Sequence, residues 1–453
     1  MLYHQLRGLF VVALTLAPIF AAEAASPFDW TGFYLGANAG YGLGRNPAAL
    51  DGLPGFAIGQ RIYLQPHGSL GGLQTGYNWQ NGNWVFGTEA DFQWTDQDTR
   101  ICIGVCGPLF RIPIEQRLPW FATVRGRIGY ASGPLLFYYT GGVAFGEEKT
   151  RINETNVNQA GDFRFDQSKT GWTIGSGVEA AIGGHWTAKI EYLYVDFGRV
   201  SGGYIFDGTA HTYHNDIHDH IFRAGLNYHF GPATSAQALM PAPMLEWAGL
   251  YLGVNFGHAV ARDAISLGNA ITGPETLDLA PAGWLGGIQG GYNWRNGNWI
   301  TGIETDLQFG AQSDSRTCIF ACISNQYAKF DQSLPWFGTA RARAGYAFGP
   351  SLIYATGGLA YGEIRTKVED FLTGTLGNYT FSHTKVGWTA GGGFETAAPF
   401  WKNWTIKTEY LFVDLGGVTD TFTKADFAGT RVLKTEAHNH VFRTGLNYKF
   451  GSQ

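Results

Sequence analysis

The feature that most constrains this 453-residue chain is a period of two in which the charges share a face with glycines, while the aromatics hold the opposite face. From Trp84 to Trp94, one parity carries Trp84, Phe86, Thr88, Ala90, Phe92 and Trp94. The other carries Val85, Gly87, Glu89, Asp91 and Gln93. Successive side chains of a β-strand point to opposite faces, so this segment has an aromatic face and an acidic face. In the next segment Trp120, Ala122, Val124, Ile128 and Tyr130 oppose Thr123, Arg125, Arg127 and Gly129. Near the end of the first half, Phe222, Ala224, Leu226, Tyr228 and Phe230 oppose Arg223, Gly225, Asn227 and His229. A soluble β-sandwich would turn its apolar parity inward and its polar parity to water. Here the pattern predicts strands whose apolar face meets lipid and whose charges face a confined interior.

The pattern occurs twice. Trp30–Gly36 (WTGFYLG) returns as Trp247–Gly253 (WAGLYLG), and Gly76–Trp84 (GYNWQNGNW) as Gly291–Trp299 (GYNWRNGNW). Leu118–Phe121 returns at Leu334–Phe337, Ile190–Asp196 at Thr408–Asp414, and Phe222–Phe230 at Phe442–Phe450. A repeat of this length is a whole domain, not a solenoid unit. The Pro/Ala-rich, nearly uncharged stretch between the copies reads as a linker.

Each copy contains about eight alternating segments, near the ~9–11 residues a strand needs to cross a bilayer. They start near Gly32, His67, Asn83, Pro119, Pro134, Lys169, Trp186 and His218. Short turns follow the even-numbered segments: Gln80–Gly82, with its Asn-Gly hairpin signal, Ser132–Pro134 and Gly183–Gly184. Long polar loops are expected after the others, at Gly44–Gln65, Thr95–Glu115, Arg151–Gln167 and Arg199–Asn215. The expected fold is all-β: two eight-stranded, antiparallel, up-and-down transmembrane barrels in tandem, with one sixteen-stranded barrel as the alternative. Closure removes exposed strand edges.

Arg7, the apolar run Leu9–Phe20 and the small-residue site Ala22–Ala24 read as a secretory signal peptide over residues 1–24. The expected domains are then a first barrel at 25–231, a periplasmic linker at 232–246 and a second barrel at 247–453. Composition agrees: glycine numbers 65, aromatics make up 15% and charged residues only 15%. Ordinary domains carry about 25% charged residues. A net charge of −5 offers no basic stripe for nucleic acid.

The inward charges are the principal candidate site. Copy one has Glu89, Asp91, Glu179 and Glu191 with Arg125, Arg127, Lys189 and Arg223. Copy two has Glu304, Asp306, Glu395 and Glu409 with Arg341, Arg343, Lys407 and Arg443. Every position keeps its sign between copies. Balanced pairs fill a narrow lumen without leaving a lone buried charge. Inward glycines such as Gly36, Gly87 and Gly177 leave room for the long side chains. The structural reading is a plug that holds the barrel in shape. The functional reading is a polar pathway for ions or small solutes.

Cys102 and Cys106, repeated as Cys318 and Cys322, sit in the long loop after the third strand of each copy. An oxidising compartment makes an intraloop disulfide the default. The spacing is not that of a zinc C-x2-C site, and no metal or cofactor is expected. His211, His214, His218 and His220 lie around the last long loop, where solvated rim histidines are the plain reading and contact with lipopolysaccharide phosphates the sharper one. No G-x-S-x-G, H-E-x-x-H or nucleotide-loop pattern occurs, so no catalytic residues are assigned and the chain reads as a non-enzyme.

The opening Trp30–Gly36, with Gly76–Trp79, Gly141–Ala144, Gly171–Thr173, Glu191–Tyr194 and Leu226–Phe230, resembles the alphaproteobacterial outer-membrane surface-antigen family, the opacity-porin-like β-barrels. The resemblance covers nearly all of the chain beyond residue 24, twice over. It implies an eight-stranded barrel in the cell outer membrane, with structural, adhesive or host-facing roles and no catalytic residues. The alternating aromatic ends Leu226/Tyr228/Phe230 and Leu446/Tyr448/Phe450 fit the signal read by the barrel-assembly machinery. The expected function is a surface-exposed structural protein supporting envelope integrity, with a water-filled porin as the alternative. Expected partners are outer-membrane lipids, lipopolysaccharide and the assembly machinery; the sequence names no extracellular ligand.

Overall fold

The computed structural model describes residues 28–51, 61–103, 111–132, 134–230, 246–269, 273–317, 326–348, 350–372, 375–398, 401–423 and 430–450. The signal-peptide reading at 1–24 and nearly all of the linker therefore lie outside the described residues.

Copy one contains β1 (Gly32–Gly44), β2 (Asn46–Asp51), β3 (Arg61–Leu64), β4 (His67–Asn81), β5 (Trp84–Ile103), β6 (Ile112–Ser132), β7 (Leu135–Thr155), β8 (Ala160–Gly183), β9 (Trp186–Phe206) and β10 (Thr209–His229). Strands β1 and β4 to β10 pair in sequence as an antiparallel ring, and β1 closes it on β10 from Tyr34↔His229 to Gly44↔Asp219. The hairpin β2–β3 leans on the outer end of β10.

Copy two repeats this as β11 (Gly249–Ala261), β12 (Asp263–Asn269), β13 (Gly273–Leu279), β14 (Ala282–Asn296), β15 (Trp299–Thr317), β16 (Gln326–Phe348), β17 (Ser351–Leu372), β18 (Thr375–Ala397), β19 (Trp404–Thr423) and β20 (Thr430–Lys449). It closes from β11 onto β20. Two separate eight-stranded rings form, and the sixteen-stranded alternative is not adopted.

The short turns fall where expected, with Gly82 and Gly297 at φ 60° and 63° in the Asn-Gly hairpins. The long loops do not. The stretches expected as loops are mostly strand: β5 runs on to Ile103, β6 begins at Ile112, β7 ends at Thr155 and β8 begins at Ala160. The expected loop Arg199–Asn215 is a two-residue turn, Asp207-Gly208, with φ 50° and 72° at its two central residues. Such positive-φ pairs match the twist of the flanking strands.

The aromatic belts fix the bilayer. Trp84 sits opposite Tyr130 at one end of the β5–β6 hairpin, and Trp94 opposite Trp120 at the other. Between them the outward side chains Phe86, Phe92, Val124 and Ile128 are exposed, as a lipid-facing surface requires. Beyond Trp94 and Trp120 the outward residues become Asp96, Asp98 and Arg117. The register shifts at this level between β5 and β6 and between β9 and β10. Inside the extended tips, Ile114, Ile152, Val200, Tyr204, Tyr213 and Leu50 form an apolar core, with Phe163 and Phe165 packed against it. Copy two builds the same core from Phe330, Val368, Phe422, Leu433, Ile265 and Leu279.

Candidate functional site

The inward parity of β5, β6, β8, β9 and β10 brings all eight predicted charges of copy one into one buried layer at membrane level. Neighbouring strands supply the first contacts. Glu89 is opposite Arg125 in register, and Glu191 opposite Arg223. Arg125 bonds Glu89, and also Asp91 at 2.9 Å and Glu191 at 3.0 Å. Arg223 reaches Glu191 through Nε at 2.7 Å.

Further contacts cross the lumen. Lys189 on β9 donates to both carboxylate oxygens of Glu89 on β5 at 2.8 Å. Arg223 on β10 reaches Asp91 on β5 at 3.0 Å. In a ring of eight, β9 lies four places from β5, so the first of these bonds spans the diameter. Glu179 faces Lys189 in register, yet its carboxylate bonds Arg127 on β6 at 2.9 Å.

Copy two reproduces the layer. Arg341 bonds Glu304, Asp306 at 3.0 Å and Glu409 at 2.9 Å. Arg443 bonds Glu409 and Asp306, Arg343 bonds Glu395, and Lys407 bonds Glu304 at 2.6 Å.

Neutral groups that sequence reasoning did not single out complete the layer. The Tyr34 hydroxyl donates to Glu89 at 2.8 Å, and Tyr138 to Glu191 at 3.0 Å. Thr187 and Asn227 both donate to Glu179, and Asn78 accepts from Arg127. Tyr251, Tyr354, Thr405, Asn447 and Asn293 do the same in copy two. All stand on the inward parity, so the alternation itself could have found them. Carboxylates have more lone pairs than the cations alone satisfy, and these donors take the remainder. Inward glycine supplies the space: a Cβ at Gly177 or Gly393 would lie 2.5 or 2.6 Å from the hydroxyl of Tyr138 or Tyr354. The copies differ at one end of the layer, where His229 approaches Glu179 and its counterpart Lys449 instead lies over the Trp247 ring.

Above this layer, a cavity of only about 10 Å³ lies among Gln97, Gln116, Glu148 and Asp219. That is room for about one water. Glu148, on the inward parity, is one residue further from the membrane than Glu147, which accepts from the belt residue Trp120. Burial pushes the Glu148 carboxyl up to about 7, against hydrogen bonds from Thr150 and Gln116 that pull it down. Its counterpart in copy two is Ile364.

The four histidines singled out around the last hairpin of copy one do not converge. His211 is buried in the apolar tip, stacked on Tyr204, while His214 pairs with Ser201 on the outer face. His218 and His220 contact Tyr194 and Tyr192. Among the described residues no group of three His, Cys, Asp or Glu side chains is placed to hold a metal. Cys102 lies in β5, with its backbone opposite Pro113. Cys106, Cys318 and Cys322 lie outside the described residues.

Closed antiparallel rings with an aromatic, lipid-facing exterior and a charged interior define an outer-membrane β-barrel protein. Residues 12–230 and 232–450 each match the family described as "Outer membrane protein beta-barrel domain", and the chain belongs to that family in tandem. It is 35% identical over 238 residues to the 31 kDa outer-membrane immunogenic protein of Brucella melitensis, covering 50% of this chain and 97% of that protein. It is 34% identical over 171 residues to the 22 kDa outer membrane protein of Rhizobium leguminosarum, covering 37% of this chain and 65% of that protein. Among solved structures it resembles Neisserial surface protein A at 13% identity and a TM-score of 0.23, over 46% of this chain and 100% of that one. The chain is a protein of the outer membrane.

Proposed function

We propose that this chain is a closed structural protein of the outer membrane, supporting envelope integrity and presenting its tips for surface interactions. The observation that carries the reading is the ion-pair layer itself. The Lys189–Glu89 and Lys407–Glu304 bonds tie opposite sides of each ring at 2.8 and 2.6 Å. A side-chain-filled eight-stranded ring leaves no water column, unlike the wider porins. The apolar core above it adds a second stopper. No reaction is assigned to the chain, because among the described residues each buried carboxylate is engaged with a cation or a hydrogen-bond donor. Contact with lipopolysaccharide at the outer belt and engagement of the assembly machinery through the aromatic strand ends complete this reading. We also infer intraloop disulfides Cys102–Cys106 and Cys318–Cys322.

Planar-bilayer recording of the refolded chain tests the central statement. The expected result is a silent membrane across the voltage range. Stable openings of porin size would overturn it in favour of a water-filled pore. Thiol labelling before and after reduction tests the disulfides, since equal thiol counts in the two states would remove them.

A further inference from the structure

We propose that the outer face of β9, β10 and β1 is a barrel-to-barrel docking surface, occupied by the matching face of the other copy about an approximate two-fold axis. The ring contacts come in exchanged pairs, while at the outer end Arg45 meets Asp314 at 3.2 Å and its counterpart Arg262 meets His67. Tyr41 stacks on His440 with ring centroids 5.8 Å apart and an interplanar angle of 14°. His220 stacks on His258 at 6.0 Å and 14°. Tyr41 and His258 are corresponding positions of the two copies, and so are His440 and His220. Tyr192 meets Phe442 at 6.3 Å, and Tyr410 meets Phe222 at 6.4 Å, each at 33°. Phe222 and Phe442, also equivalent, lie nearly parallel to each other on the axis. When residue i meets residue j and the counterpart of j meets the counterpart of i, the interface is isologous, the geometry of two-fold dimers.

The side-chain chemistry of this face argues independently for a protein occupant. Elsewhere on the ring the lipid-facing residues are apolar and bare: Leu73 is 55% exposed and Val124 56%. On the seam Phe222 and Phe442 are only half-buried to lipid despite their outward parity. The same face carries His220 and His440, each paired through Nδ1 with a tyrosine hydroxyl at 2.9 Å. Imidazoles facing lipid are costly, and polar side chains in bilayers turn toward protein. Without a hydrophobic drive between lipid-bathed surfaces, close ring packing and polar contacts are what hold membrane elements together. The connection fits as well: β10 and β11 both run along the seam in their outer halves, so the linker joins two strands that lie on the same side of their rings. The contact is confined to the outer half, since Leu226, Leu35 and Leu252 toward the periplasmic end stay exposed.

The test places a protease site within residues 232–246 of the full chain and introduces F222C and F442C. After membrane insertion, mild oxidation and cleavage, the expected product migrates at full length and splits into halves on reduction. V124C with A340C, on the ring wall opposite the seam, should split without reduction, as should the cleaved parent protein with its own cysteines. Heat-modifiable migration verifies that each barrel is folded. Folded F222C/F442C protein that falls into halves would overturn the proposal. F222C alone linking two chains would overturn the pairing within one chain. Should the cysteine pair fail to fold, native mass spectrometry of the cleaved parent protein in lipid nanodiscs replaces it. Halves that stay together support the seam, and halves that separate refute it.

Discussion

At membrane level each ring is charged inside and apolar outside; a few residues further out along the same strands, the order is reversed. On β7 the outward side chains run Tyr139, Val143 and Phe145 up to the belt, then Glu147, Lys149 and Arg151 beyond it. On β6 the inward ones run from Arg127, Arg125 and Thr123 to Phe121, Leu118 and Ile114. One backbone thus crosses two solvents. Lipid outside requires that polar groups be satisfied inward, whereas water outside allows an ordinary apolar core. The alternation persists across the boundary while its contents change places, and the register shifts of β5–β6 and β9–β10 sit at that boundary.

Breaking the membrane-level half should have the largest effect. Arg125→Ala or Arg341→Ala strands buried carboxylates, and removing one partner of such a network costs about 3–5 kcal/mol. Unfolding of the heat-modifiable band in urea measures this, and a shift near zero would mean that the network is not what fills the lumen.

Next in size is Glu148, which lies in the water-facing half. Its folded-state value near 7 lies above the ordinary 4.5. Below pH 4.5 it is protonated in both states and has no effect. As pH rises to about 7 the unfolded chain ionises first, so stability falls by about 3 kcal/mol and then levels off. Glu148→Gln should remove this share of the slope and leave that of Asp219, whose buried carboxyl is likewise raised to about 7. The tip of copy two has Ile364 at this position and should lack the Glu148 share, keeping only that of Asp263, whose carboxyl burial also raises. Protease susceptibility of the tip between pH 4 and 8 reads the difference, and an unchanged slope in the variant would contradict it.

Smaller still is Ile152→Val, which gives the first tip core the residue that copy two already has at Val368. About 1 kcal/mol of tip stability should be lost, with conductance and membrane insertion unaffected. The smallest effect belongs to Lys149→Ala. Its contact with Glu147 is partly exposed, and such pairs contribute roughly 0–1 kcal/mol. A measurable loss of insertion there would mean that the belt depends on outward charge.

The ring order, the hairpin turns and the inward charges were legible in the sequence because lipid makes the outward parity uniformly apolar. The extended tips were not. Beyond Trp94 the outward residues turn polar, and without an apolar outward parity the remaining alternation, with Ile114 and Ile152 inward, reads as loop. The Asp207-Gly208 turn was a readable hairpin signal inside a stretch expected to be irregular. Which carboxylate meets which cation was only half legible. Glu89 with Arg125 follows from adjacent strands, but Arg127 with Glu179 and Lys189 with Glu89 require the ring to be closed.

The strand extensions set a stand-off height. Past Trp94, β5 continues through Thr95–Ile103. At about 3.3 Å per residue and a tilt near 40°, that lifts the tip roughly 20 Å clear of the belt. A body approaching from outside therefore meets two internally packed pillars before it meets lipid.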